Sequence, residues 1–455
     1  MASYDVIVIG GGPGGYVAAI RAAQLGQKIA VVERDKPGGR CLNYACIPAK
    51  TVLHTAEVFS EIENGGAELG IKANGVSIDW KAVQARRAKV SATLEDGVQM
   101  LWKKNKVDFL NGVAALAGDG KVKVGKDTHE GKAIVLATGS VEMPIPGVDF
   151  SDRVIDTWGA WSLKELPKSM VVAGAGASGS EIASAYARLG TEVTLVEMLD
   201  QVLPLEDKDM ARVVERQFKQ DGIDLQLGTK VEGVTEQKTG VKVKVGGKEV
   251  KADYLAIAGG RKADTESLDL GAAGVETEEN GQIKIDEYQR TTAEGIYAIG
   301  DLVRGPALAH KASEEGVVAV ETAAGAPTHP VNVELVPGAT FCHPQVASVG
   351  MTEEEAKETG KQIKVGKFKL GGVGASVVYD DRAGMVKIVG DPQYGEILGA
   401  HIVGNRACDM ISEFVDTMAL EGGYQELSRI IHPHPTISEA VLDAARAVDG
   451  WATHA

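Results

Sequence analysis

Two copies of one short pattern constrain this chain more than anything else in it. The run Tyr4–Ile9 opens into Gly10, Gly12 and Gly15, spaced as G-x-G-x-x-G. An alanine-rich stretch to Leu25, then Gly26, a second apolar run Ile29–Val32 and finally Glu33 complete the unit. The unit returns as Met170–Ala173, then Gly174, Gly176 and Gly179, a stretch to Leu189 and Gly190, then Val193–Val196 and Glu197. Third glycine and acid are 18 positions apart in both copies, from 15 to 33 and from 179 to 197. Third glycine and helix-closing glycine are 11 apart in both. A lone G-x-G-x-x-G carries little. Set between a strand and a helix, with an acid closing the second strand, it has the context that the motif needs.

Each position has a physical task. The first glycine permits the tight turn, the second lets backbone approach a pyrophosphate, and the third lets helix and strand pack closely. The helix N-terminus offers unpaired N–H groups to phosphates. Gly26 and Gly190 stand where a helix end favours positive φ. Glu33 and Glu197 can accept from both hydroxyls of a ribose. The chain therefore carries two dinucleotide sites. At the second, a carboxylate at Glu197 repels a 2′-phosphate, and Met198-Leu199-Asp200-Gln201 offers no arginine to receive one, so NAD rather than NADP is expected there.

Bulk properties narrow the rest. A length of 455 residues suggests about three domains. A net charge of −15 argues against nucleic acid, whose phosphates need basic patches, and is read as a charge kept for solubility. No stretch approaches the ~20 apolar residues of a membrane helix, and a strand begins almost at once with no basic start before it. A cytoplasmic protein is expected, or a mitochondrial-matrix one if the chain is a processed form. Four cysteines in this length exclude a secreted disulfide scaffold. Cys342 and Cys408 are read as buried, inert thiols, and no metal site is expected.

Cys41 and Cys46 are different. They lie in Gly38-Gly39-Arg40-Cys41-Leu42-Asn43-Tyr44-Ala45-Cys46-Ile47-Pro48-Ala49-Lys50, directly after the first unit. Thiols five positions apart meet only if the backbone between them turns, since a bridge needs Cα atoms within about 7 Å. Pro48 suits the first turn of a helix running through Val52, Ala56 and Phe59. A cysteine at a helix N-terminus near a lysine is well placed to be a thiolate. Further on, Ala133–Gly139 and Gly295–Asp301 read as strands returning to a cofactor, the second ending in a carboxylate that is costly to bury without a polar partner. Near the C-terminus stands His432-Pro433-His434-Pro435-Thr436-Ile437-Ser438-Glu439, where Pro435 suits a helix start and Glu439 is near enough to orient an imidazole. Histidine titrates nearest neutrality, which suits it to accept a proton.

These motifs, in this order and over essentially the whole chain, resemble the class I pyridine nucleotide–disulfide oxidoreductases. Leu308-Ala309-His310-Lys311-Ala312 and Phe341-Cys342-His343-Pro344 belong to the same resemblance. It implies an α/β fold: two Rossmann-like dinucleotide-binding domains, the NAD domain inserted in the FAD domain, and a C-terminal α+β dimerisation domain. The implied limits are 1–140 and 265–335 for FAD, 141–264 for NAD and 336–455 for the interface. In that last part strands are expected at Met385–Val389 and Leu398–Val403, and helices at Asp409–Glu421 and Ile437–Val448.

By the same resemblance Gly10, Gly12, Gly15, Glu33, Thr138, Gly139, Asp301 and Ala309 bind FAD, while Gly174, Gly176, Gly179 and Glu197 bind NAD. Cys41 exchanges with substrate sulfur, and Cys46 lies against the flavin in a charge-transfer pair. Lys50 sits near the flavin, with Glu181 as its pairing partner. His434 is the base, Glu439 its partner and His432 an accessory. The histidine completes the active site of the opposite subunit, which implies a homodimer. Cys-Leu-Asn and Cys-Ile-Pro best match the members that oxidise dihydrolipoamide on a lipoyl domain of an acyltransferase or a glycine-cleavage carrier. Arg40, Ala45 and Ala49 depart from the pattern, standing where threonine, glycine and serine are usual. Mercuric and large thioredoxin reductases are disfavoured because no cysteine lies beyond Cys408. Glutathione-type reductases usually take NADP, against Glu197. A flavin oxidase has no use for the paired thiols, and a scaffold protein has none for the cofactor sites.

Overall fold

Val6, Ile7, Val8 and Ile9 are all buried because both faces of their strand are covered. In the computed structural model, which describes residues 2–65, 69–72 and 75–454, Val6 and Val8 face a core with Ala18, Ala19, Ala22 and Trp102. Ile7 and Ile9 face a second core with Ala114, Leu116 and Leu268. Side chains alternate along a strand, so a strand covered on both sides must be apolar at every position.

The chain packs as two compact units. One gathers Met1–Thr51, Lys81–Met143 and Gly260–Val333; the other gathers Val52–Trp80, Pro144–Gly259 and Glu334–Ala455. The first is built on a seven-stranded sheet. Its parallel part sets β1 (Ser3–Ile9) beside β2 (Ile29–Glu33) and the long strand Asp127–Leu136, with Asp108–Asn111 and Ile296–Ala298 on the flanks. Helix α1 (Pro13–Gln24) links β1 to β2 and ends at Gly26, φ +81°. It crosses helix Ala309–Ala324 so closely that a Cβ on Gly14 would stand 2.7 Å from the Ala312 carbonyl, and one on Gly316 2.5 Å from that of Gly14.

The second unit holds a parallel five-stranded sheet around Ser169–Ala173, flanked by Glu192–Val196 and Tyr254–Ile257. Its helix Ala177–Arg188 ends at Gly190, φ +92°. The two β–α–β units thus share a geometry as they share a pattern. The same unit carries an antiparallel five-stranded sheet that includes Met385–Gly390 and Ile397–Val403. Helix Glu439–Asp449 buries Ala440, Val441, Ala444, Ala445 and Val448 in the core of that sheet.

Three local expectations need correction. The last helix begins at Glu439, not at Pro435, whose bond to His434 is cis. The stretch expected as one helix at 409–421 is two, Ala407–Met410 and Ser412–Ala419, and Glu421 leaves helical space at φ +57°. Gly295–Asp301 is a strand only over Ile296–Ala298, and Asp301 lies in a 3-10 turn, Gly300–Leu302.

Candidate active site

The two fingerprints repeat in atomic detail. A Cβ on Gly15 would meet the Gly10 carbonyl at 1.9 Å, and one on Gly179 would meet that of Gly174 at 1.7 Å. Gly10 and Gly174 have φ of +112° and +100°. Around Gly12 and Gly176, by contrast, a Cβ would have nothing within 4 Å. The first and third glycines are thus demanded by the protein itself, whereas the second faces open space where a phosphate can approach. Glu33 accepts from the Gly11 amide at 2.8 Å and from the Asp35 amide at 2.8 Å. Glu197 repeats this with Ala175 at 2.7 Å and Leu199 at 3.0 Å. Each carboxylate is aimed by backbone amides and keeps lone pairs for a ribose. Both cradles therefore fit a dinucleotide.

Two glycine-bearing turns close the first cradle. Gly139 has φ +77°, Thr138 donates to the Asp264 carbonyl at 2.6 Å, and Asp264 holds Arg34 at 2.6 Å. Asp301 accepts from the Ser140 hydroxyl, and its turn is gripped from behind. Glu315 accepts from the Gly300 amide at 2.7 Å and pairs with Lys311 at 2.7 Å, the two side chains 2% and 0% exposed. Burial pushes the Glu315 carboxyl up, against the pull of Lys311. Ala309 is the first residue of the helix that carries both. Sequence reading missed Ser140 and Glu315 and gave Lys311 only as part of a motif, without a role; the signal for the pair was a Lys–Glu spacing of four on one helix.

Cys41 lies in the short helix α2 (Gly39–Asn43), and Cys46 opens helix α3 (Cys46–Ser60). Gly38 at φ +86° and Gly39 at φ +56° make the turn, and a Cβ on Gly39 would meet the Gly12 Cα at 2.6 Å. The cysteine-bearing segment is thereby pressed against the glycine-rich turn at Gly12, a role for Gly39 that was not foreseen. Cys41 and Cys46 are each half-buried. The thiols are hydrogen-bonding neighbours, and the Cys46 bond, followed by burial, pushes the Cys41 thiol well up. Lys50 acts in the opposite sense and Asp301 in the same sense.

In the second unit, His434 Nδ1 lies 2.9 Å from Glu439 Oε2, and Glu439 Oε1 accepts from the Thr436 amide at 2.8 Å. Burial would raise the Glu439 carboxyl, but the His434 bond holds it below its usual range. The His434 ring is 76% exposed, so its other nitrogen faces outward. His432 is its opposite, 5% exposed, with Nε2 at 2.9 Å from Glu413 and Nδ1 at 3.1 Å from the Ile430 carbonyl. Glu413 was not foreseen. Glu181 accepts from the Phe341 amide at 2.9 Å. Cys342 is buried as expected, and burial holds its thiol up; Cys408 is only half-buried. Burial also lowers His343 to about 4. Among the described residues no group of three or more His, Cys, Asp or Glu could hold a metal ion, and no helix is long and apolar enough to cross a membrane.

Residues 4–316 match the pyridine nucleotide-disulphide oxidoreductase family, and residues 336–445 match its dimerisation domain. A dihydrolipoyl dehydrogenase of Rhizobium etli is 43% identical, over 97% of this chain and 98% of its own. The mitochondrial dihydrolipoyl dehydrogenase of Pisum sativum is 40% identical, over 97% and 91%. The crystal structure of LpdA from Mycobacterium tuberculosis superposes with a TM-score of 0.91 at 26% identity, covering 98% of this chain and 99% of that one.

Proposed function

This chain belongs to the pyridine nucleotide-disulphide oxidoreductase family, and from that premise we propose that it oxidises protein-bound dihydrolipoamide to lipoamide while NAD+ is reduced to NADH. Its cofactors are FAD and NAD. The observation that carries the reading is the Cys41–Cys46 pair, two thiols in mutual contact beside Lys50 and Asp301 on the loop that follows a dinucleotide cradle.

Gly10, Gly12, Gly15, Glu33, Thr138, Gly139, Asp301 and Ala309 would hold FAD, with Lys50 beside it. Gly174, Gly176, Gly179, Glu181 and Glu197 would hold NAD. The corresponding domains are 1–140 with 265–335, 141–264, and 336–455 for the interface of a homodimer. Glu197, fixed by two amides, disfavours a 2′-phosphate.

With the pair oxidised, His434 takes a proton from one substrate thiol and Glu439 stabilises the imidazolium. The substrate thiolate attacks the Cys41 sulfur, the Cys41–Cys46 bond breaks, and Cys46 leaves as a thiolate. The second substrate thiol then attacks the first sulfur, its proton passing to the departing Cys41, which closes the lipoamide disulfide and releases Cys41 as a thiol. Two electrons have moved from substrate to protein, which now holds the pair reduced. FAD and NAD, when bound, supply the two-electron transfer that carries these electrons to the nicotinamide and restores the disulfide. The exposed ring of His434 suits a base that serves a second copy of the chain. The partner is a lipoyl domain of an acyltransferase or a glycine-cleavage carrier.

The test is a steady-state comparison of dihydrolipoamide plus NAD+ with glutathione disulfide plus NADPH. The first pair should turn over and the second should not, and Cys41→Ser should abolish the first. Turnover retained by Cys41→Ser would refute its role.

A further inference from the structure

Strand Ser140–Glu142 runs antiparallel to Arg261–Ala263, with Arg261 opposite Glu142. The Glu142 carboxylate, 9% exposed, faces two guanidiniums: Arg261 at 2.7 Å and Arg40, the residue before Cys41. Arg261 Nε donates to the Ser140 hydroxyl at 2.8 Å, which donates in turn to Asp301. A continuous chain of polar contacts thus runs from Arg40, through Glu142, Arg261 and Ser140, to the carboxylate that bears on the Cys41 thiol.

None of these contacts is needed by the exchange reaction as written. Arginine does not give up its proton, and Glu142 touches neither sulfur in the contacts described. Burial, and Arg40 beside it, disfavour the charge on Arg261, with Glu142 working against both. A buried ion-pair network often does no better for stability than apolar side chains of the same volume. Two positive and two negative charges cancel at this place, and removing any one of them leaves a net charge beside the redox helix.

We propose that Arg40 and Glu142 are positioning residues that set the charge felt by the redox pair, with Glu142 holding both arginines so that together they balance Asp301. This rests on the proposed role of Cys41 and Cys46. Among the described residues, Lys50 on α3 and Asp301 in its 3-10 turn also act on Cys41, in opposite senses, and Tyr16 on α1 feels a thiolate there. Against that fixed background, Glu142→Gln leaves an excess positive charge and favours the thiolate. Arg40→Met leaves an excess negative charge and favours the thiol. Ionisation stabilises the reduced form, so the disulfide of Glu142→Gln should also be the easier to reduce, and that of Arg40→Met the harder.

The experiment is the pH dependence of iodoacetamide alkylation of the two thiols in the anaerobically reduced holoenzyme, read by mass spectrometry. The profile of Glu142→Gln should move to lower pH and that of Arg40→Met to higher pH, each by about half a unit for a partly screened charge. The double variant should return close to wild type, and Arg40→Lys should not move. Shifts of the same sign in both single variants, as general loosening of the helix would give, or no shift in either, would overturn the proposal. Arg40 is 30% exposed, so Arg40→Met decides the sign even if Glu142→Gln fails to fold. A wild type whose disulfide dihydrolipoamide cannot reduce overturns instead the reading on which this rests.

Discussion

Replacing Gly15 and Gly12 separately by alanine distinguishes a glycine that the fold demands from one that the ligand demands. At Gly15 the added carbon would stand 1.9 Å from the Gly10 carbonyl, where ordinary contact begins near 3.4 Å. Backbone must therefore move by ~1.5 Å, in a turn whose Gly10 amide is already committed to the Val32 carbonyl at 2.8 Å. Overpacking of that kind costs about 3 kcal/mol, a large share of the ~5–15 kcal/mol that holds a domain folded. At Gly12 the same carbon meets nothing within 4 Å, and φ −68° is open to any residue. Loss of glycine as the helix cap and the stiffer unfolded chain act in opposite senses, so the apoprotein should stay within about 1 kcal/mol of wild type. If Gly12 faces the pyrophosphate as proposed, flavin retention should nevertheless fall, because the carbon would occupy that space. The assay is a urea midpoint on flavin-stripped protein, paired with flavin content after gel filtration of the holoprotein. Equal destabilisation by both substitutions, or full flavin content in Gly12→Ala, would refute the division of roles.

Two further outcomes follow from buried charges. Lys387, 2% exposed, reaches both Asp207 oxygens at 2.7 Å and Asp209 and Glu353 at 2.8 Å. Lys387→Met strands these carboxylates and should cost about 3–5 kcal/mol near neutrality, measured by urea unfolding. Burial would raise Asp209, but Lys367 and Lys387 hold it at about 2, and Lys357 and Lys387 hold Glu353 at about 2. Such depressed carboxyls stabilise above their unfolded values and lose this as pH falls through the folded ones, so the gap between variant and wild type should close below about pH 4. At His432 both ring nitrogens face acceptors, and the Glu413 bond raises the imidazolium above its usual range. A raised histidine stabilises fully below its unfolded value, near pH 6.5, and loses this as pH rises through the folded one. As pH rises above about 6, wild type should therefore lose more stability than Glu413→Gln; equal losses would show that the pair does not bear on folding.

What the chain alone determined is local and periodic. Both fingerprints, their closing glycines, the turn that joins Cys41 to Cys46 and the His434–Glu439 spacing follow from neighbours a few positions apart, where backbone sterics and helix or strand period leave few choices. The cis bond at Pro435 escaped the reading, since an X-Pro bond chooses between two nearly equal forms and its surroundings settle the matter. Only the tertiary structure decided which charges meet. Arg40 finds Glu142 across 102 positions, Ser140 finds Asp301 across 161, and Lys387 finds Asp207 across 180. Such pairs leave no period in the sequence, because a charged side chain has the same local preferences whether it will be solvated or buried. Its partner is set by which loops the sheets bring together, and desolvation then makes that partner obligatory.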